Sequence, residues 1–173
     1  MELMDFDNTT GIFSNPIVFH PNVTPLSLGV YGAEFSPDGR LLYVTSNDYE
    51  AQKATLYQFD ITSHNVAAIE ASKQIIHQNT DFLAGNLQIG PDLKMYMAMF
   101  NDTSVSVIEN PNTYGTGCNF VYNKIYLGTQ SNTPVQYGLP TFVQSYFDTS
   151  SNPYDFTRLP GNCLDRNITF KIN

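Results

Sequence analysis

The strongest constraint on this 173-residue chain is a repeat. FSPDGRLLYVTS (Phe35–Ser46) and IGPDLKMYMAMF (Ile89–Phe100) share an apolar residue, a small residue, Pro-Asp, a turn residue, a base and then alternating apolar positions. Pro37 and Pro91 stand 54 positions apart. Pro pre-sets φ at the first central position of a turn, and Asp bonds the backbone beyond it. Each copy therefore reads as strand, turn, strand. Gly39 relieves a left-handed position, whereas Leu93 stands there in the second copy, which predicts a different turn. A second element recurs at nearly the same offset. LMDFDNTT (Leu3–Thr10) matches LYQFDITS (Leu56–Ser63), with Leu3/Leu56, Phe6/Phe59, Asp7/Asp60 and Thr9/Thr62 each 53 apart. VSVIENPN (Val105–Asn112) is a third, looser copy. A turn-rich stretch and another apolar strand follow each one: PIVFH, KQIIHQ and NFVYNKIYL.

Two elements sharing one offset define a unit of about four short strands in roughly 50 residues, the size of a β-propeller blade. The expected fold class is all-β, a partial β-propeller of about two full four-stranded blades with partial blades at both ends. Residues 3–20 supply the last two strands of one blade. Residues 30–78 and 82–127 form full blades. Residues 137–147 open a further blade, because VQYGLPTFVQSYF echoes VYGAEF and LAGNLQI. A plain β-sandwich is the alternative. Joining the terminal pieces within one chain would give a three-bladed ring, below the typical four to eight. The chain is thus expected either to be a fragment of a longer polypeptide or to complete its ring as a homo-oligomer, since open blades expose strand edges and apolar faces.

Composition narrows the functional classes. Charged residues are 14 % of the chain, and the formal charge is −8, with no basic run. Nucleic acid and anionic membrane surfaces are therefore poor partners. No stretch approaches the ~20 apolar residues of a membrane span, so membrane insertion is not expected. MELMDFDN lacks the basic and apolar regions of a signal peptide. The repeat, which starts mid-blade, favours a natural start upstream of Met1 over a cytoplasmic protein.

The residues quoted above, with VSVIENPNTYGTGCNF and YGLPTFVQSYF, resemble the YVTN- or WD-repeat-like β-propeller region of large secreted Bacteroidetes proteins. There the propeller precedes PKD or immunoglobulin-like modules and a gliding-motility-associated, type IX secretion sorting domain. The resemblance spans about residues 3–147. PGNCLDRNITFKIN (Pro160–Asn173) is similar to the opening of the module that follows, although Asp165-Arg166 replaces Gly-Asp. The implied domain division is blades over 1–147, then a linker and the start of a PKD/Ig-like module over 148–173. The implied localisation is secreted or cell surface.

Candidate sites are few. Asp48 and Glu50, beside Asn47, and Asp102, with Asn101 and Thr103, lie in equivalent polar loops. Oxygen ligands of this kind suit Ca²⁺, but no D-x-D-x-D-G spacing supports a metal site, and hairpin solvation is the favoured reading. Asp38 and Asp92 read as turn caps. His20, His64 and His77 are scattered. The innermost strands carry Glu34, Asn86 and Gln88 and no His, so no catalytic or cofactor-binding residue is assigned. Cys118 and Cys163 are either two buried thiols or a disulfide. Tyr31, Tyr43, Tyr49, Tyr57, Tyr114, Tyr122, Tyr126 and Tyr137 are either strand-packing residues or platforms for sugars. Asn8, Asn22, Asn101 and Asn167 head N-x-[ST] sequons, chance hits in an Asn- and Thr-rich chain. The expected function is a non-enzymatic extracellular interaction or adhesion module, with a protein or polysaccharide partner and no cofactor. The alternatives are a fragment of a lactonase-like propeller hydrolase and a carbohydrate-binding propeller.

Overall fold

The computed structural model describes residues 1–19, 28–51, 53–80, 83–128, 134–140, 156–158 and 170–172, with backbone alone at 28, 156–158 and 170–172. The chain divides into two compact units, 1–140 and 141–173. The first unit contains β1 (Glu2–Asp7), β2 (Ile12–Val18), β3 (Leu28–Phe35), β4 (Leu41–Asp48), β5 (Lys53–Asp60), β6 (Gln74–Asn79), β7 (Leu83–Ile89), β8 (Met95–Phe100), β9 (Ser104–Ile108) and β10 (Phe120–Tyr126). In the second unit, β11 (Phe156–Arg158) pairs antiparallel with β12 (Phe170–Ile172).

The fold is all-β. Strands adjacent in sequence pair antiparallel, giving two four-stranded sheets, β3-β4-β5-β6 and β7-β8-β9-β10, and a two-stranded β1-β2 pair. The two full sheets repeat in detail. Register between the first two strands shifts between Val30 and Ala33 in one, and between Ala84 and Leu87 in the other. The Asp–Thr turn that follows β1 also follows β5. Asp7 accepts from Thr9 N–H and the Thr10 hydroxyl, and Asp60 accepts from Thr62 N–H and hydroxyl.

The Pro-Asp hairpins differ in an instructive way. Gly39 N–H donates to Ser36 C=O at 2.8 Å, and Leu93 N–H donates to Gly90 C=O at 2.9 Å. Both fourth residues are left-handed, Gly39 at φ 71° and Leu93 at φ 61°. The turn is thus the same despite the lost glycine, contrary to the sequence expectation, and a leucine carries the strain of that conformation. The second hairpin closes one residue sooner. Phe35 pairs with Leu42, whereas Ile89 pairs with Met95. The structural equivalent of Met95 is therefore Leu42, not the Leu41 that an ungapped alignment gives. A one-residue slip flips every side chain of a strand to the other face, so this correction reassigns the whole of β8.

With that register the packing is regular. Leu42, Val44, Tyr57, Phe59 and Ile69 meet Phe19 and the half-buried Met1, Leu3 and Ile17 of the β1-β2 pair. On the opposite face, Leu41, Tyr43, Ala54 and Leu56 meet Ala84, Leu87, Ile89, Met95, Met97 and Met99 of the next sheet. Each buried large aliphatic side chain contributes about 1.5–3 kcal/mol. The first full sheet is consequently covered on both faces.

One element was not expected. Helix α1 (Val66–Ala71) fills the β5–β6 connection. Asn65 caps it by accepting from Ala68 N–H at 3.1 Å, and buried Ile69 pins it to the sheet. Six residues are too few to show helical periodicity in a sequence.

The β9–β10 loop ties the two full sheets together. Tyr43 donates its hydroxyl proton to Pro111 C=O at 2.9 Å. The fully buried Gln58 donates to Tyr43 Oη at 2.6 Å and to Thr113 C=O at 3.0 Å, and accepts from Gly115 N–H at 2.7 Å. Every polar end of this buried amide is satisfied, as burial requires. Asp38 N–H donates to Asn112 Oδ1, so the loop also reaches the Pro-Asp hairpin of the preceding sheet.

Candidate functional site

Glycines set how closely the first strands of successive sheets approach. A Cβ on Gly32 would meet Thr45 Oγ1 at 2.9 Å and the backbone of Gly85 and Asn86 at 3.0 and 3.1 Å. A Cβ on Gly85 would collide with the backbone of Tyr137. Thr45 donates to Gly85 C=O at 2.9 Å, and Asn47 exchanges 2.8 Å hydrogen bonds with the backbone of Ala84. One step further, Asn86 N–H donates to Tyr137 C=O at 2.6 Å. So β3, β7 and residues 134–140 lie side by side, backbone against backbone. The fourth strands β6 and β10 instead meet through long side chains, with His77 stacked on Tyr122 at 5.1 Å and tilted against Phe120 at 4.7 Å.

The close first-strand edge gathers aromatic rings. Tyr31 lies 4.9 Å from Tyr137, centroid to centroid, and Phe100 stacks on Tyr137 at 4.2 Å with an interplanar angle of 6°. Tyr49 joins them. Burial raises the Tyr137 hydroxyl above its ordinary value, and the neighbouring phenols of Tyr49 and Tyr31 add to it. Tyr31 and Tyr49 are about half exposed. The result is a ledge of flat apolar faces edged by hydroxyls, a chemistry that stacks on sugar rings and on the planar or apolar groups of a protein partner. Tyr31, Tyr49 and Tyr137 were among the eight tyrosines named from the sequence as strand-packing residues or sugar platforms. Phe100 was missed, because its role depends on contact with residue 137.

The other tyrosines have structural places. Tyr43 and Tyr57 are core residues, and Lys73 lies 5.7 Å over the Tyr57 ring. Tyr114 donates to Ser72 C=O and accepts from Gln74, which fastens the β9–β10 loop to the region of α1. Tyr122 sits on His77, and Tyr126 is exposed.

The cation candidates do not come together. Asp48 accepts from Glu50 N–H at 3.1 Å and from Ala51 N–H at 2.9 Å, closing its own loop. Glu50 is exposed. Asp102 is buried, accepting from Thr103 N–H at 2.6 Å and from the Tyr122 hydroxyl at 3.4 Å. Among the described residues, no three His, Cys, Asp or Glu side chains cluster as a metal would require. Burial lowers the His77 pKa below its ordinary value. His64 lies on a turn at φ 49°, and His20 lies outside the described residues. Cys118 is a free, buried thiol beside Tyr43, its pKa raised by burial. Cys163 lies outside the described residues.

Comparison with protein-family models, with curated proteins and with solved structures finds no match to this chain.

Proposed function

We propose that this chain is a non-enzymatic interaction module built from successive β-propeller blades, working at a cell surface or as a secreted protein. The blade reading is supported by the recurrence of one four-stranded unit, with the same bulge and the same turns. It is further supported by first strands that touch through glycine while fourth strands are held apart by aromatic side chains. That difference is the wedge a radial array needs. The function rests on one observation, the Tyr31–Tyr49–Phe100–Tyr137 ledge. Rigid sheets hold these rings at a fixed spacing, so a partner meets a pre-organised surface and little ordering entropy is lost on binding. A polysaccharide is the partner the ledge suits best, because neutral hydroxyls and flat aromatic faces match both aspects of a sugar ring.

The test is a glycan array followed by titration of the best hit. Replacing Tyr31 and Tyr49 together by Ala is expected to weaken binding at least tenfold, about 1.4 kcal/mol. Array binding unchanged by that double substitution would remove the ledge from the account. Binding to proteins alone would leave the adhesion reading and end the carbohydrate one.

A further inference from the structure

A cleft opens where the β1-β2 pair meets the first full sheet. Its volume is about 410 Å³, within the range of pockets that take small molecules. The pair lines it with Leu3, Asp5 and Ile17, and the hairpin end of the sheet lines it with Phe35, Arg40 and Ile61. Leu3, Ile17 and Ile61 are half-buried against the core of the first sheet, so the apolar part of the lining is fixed by packing. Phe35 is left open to the cleft. It pairs with Leu42 as Ile89 pairs with Met95, yet it is 45 % exposed where Ile89 is 9 % exposed.

Two irregularities of the backbone place the charges. The β1-β2 register shifts between Leu3 and Asp5, and Asn15 on the facing strand is left-handed at φ 50°. Bulges of this kind re-aim side chains. Asn15 Nδ2 donates to Asp5 Oδ2 at 2.9 Å, which steadies the carboxylate, and Oδ1 has no donor among the described residues. Arg40 is the extra residue of the first Pro-Asp hairpin. Ser36 N–H bonds to Leu41 C=O there, whereas Gly90 N–H bonds to Lys94 C=O in the second hairpin. Among the described residues the Arg40 guanidinium has no ion pair, whereas Lys94 and Lys124 share Glu109. Its charge reaches Asp60, whose carboxyl is held low first by the Thr62 hydroxyl and only last by Arg40.

We propose that this cleft binds a small zwitterion with an apolar side chain, of the chemistry of leucine or of a dipeptide of such residues. Arg40 takes the carboxylate through the paired N–H groups of its planar fork. Asp5 Oδ1 accepts from the ammonium. Phe35, Leu3, Ile17 and Ile61 cover the apolar side chain and remove it from water. Both charges are needed for the match. A carboxylate alone would meet Asp5 without compensation, an amine alone would leave Arg40 unmatched, and a neutral sugar would leave both so. The inference rests on neither the blade reading nor the aromatic ledge.

The test is isothermal titration calorimetry of the full chain at neutral pH with leucine, with Leu-Leu and with the uncharged N-acetyl-leucinamide. At least one of the two zwitterions is expected to bind saturably with a Kd of about 1 mM or tighter, and N-acetyl-leucinamide at least about tenfold more weakly. The tighter of the two zwitterions distinguishes a free amino acid from a peptide. Arg40→Gln and, separately, Asp5→Asn should each weaken the better ligand at least about fivefold, with the circular dichroism spectrum intact because both residues are exposed. Lys124→Gln, which removes a positive charge that does not line the cleft, should bind as the unaltered chain does. Absence of saturable binding by both zwitterions would overturn the proposal. So would equal binding of the uncharged analogue, an affinity indifferent to either cleft variant, or an equal loss in Lys124→Gln.

Discussion

Phe59 and Phe6 are the same residue of the same unit, 53 positions apart, and their surroundings are opposite. Phe59 is 0 % exposed and packs edge-on against Phe19, 5.7 Å away. Phe6 is 57 % exposed, its ring tilted against its cross-strand neighbour Phe13, 4.8 Å away. Hydrogen bonding within each unit is alike, down to the Asp–Thr turn that follows both phenylalanines. What differs is the neighbouring sheet. A repeat unit of this kind defines its own strands, but its burial belongs to the units on either side, as in other repeat architectures.

This contrast makes graded predictions. The largest effect is expected at the buried position. Phe59→Ala should cost about 3–5 kcal/mol, by the cavity it leaves, while Phe6→Ala should cost under about 0.5 kcal/mol. Urea denaturation followed by circular dichroism measures both, and equal losses would break the comparison. Next come the first-strand edges. Gly85→Val would drive a side chain into the Tyr137 backbone and should cost about 1–3 kcal/mol, whereas Gly138→Val enters open space and should cost under about 0.5 kcal/mol.

The turns test what the two regions share. Hydrogen bonds lower both carboxylates below their ordinary value, chiefly from the Thr10 hydroxyl for Asp7 and the Thr62 hydroxyl for Asp60. A depressed folded pKa contributes stability above the unfolded value of 3.8 and loses it as the pH falls through the folded value. Thr62→Val should therefore raise the Asp60 midpoint, seen by carboxyl NMR titration, and Thr10→Val should do the same for Asp7. A shift at only one of the two would separate the units that this account equates. The smallest effect is at Leu93. Leu93→Gly relieves the left-handed leucine, about 1–2 kcal/mol, against up to ~1 kcal/mol of added unfolded-state entropy. A net gain of about 0.5 kcal/mol in thermal or urea melts is expected, and a loss would mean that this exposed side chain has a contact worth more than the strain.

Much of the architecture was readable because the signals are local. Pro-Asp turns, the Asp–Thr pair and alternating apolar residues announced β3 to β5 and β7 to β9. The register of β8 was not readable. Arg40 adds one residue to the first hairpin, and an ungapped alignment hides it. Helix α1 escaped because its six residues are held by a cap and by Ile69 rather than by periodicity. At the ledge, Tyr31, Tyr49 and Tyr137 were candidates by residue type alone, among eight tyrosines. Which of them converge, and that Phe100 stacks on Tyr137, is tertiary information. The acidic loops at Asp48 and Asp102 looked equivalent in sequence, yet one is an exposed self-closed turn and the other is buried under Tyr122. Burial of that kind is set by the neighbouring strand.

The central claim is that successive sheets are wedges, closer at their first strands than at their fourth. Pulsed dipolar spectroscopy tests it directly, with spin labels at Val30 and Gln88 on β3 and β7, and at Ile75 and Ile125 on β6 and β10, in a Cys163→Ser background. The account predicts a clearly shorter distance for the first-strand pair than for the fourth-strand pair. Equal distances would describe two parallel layers of a sandwich and would contradict it.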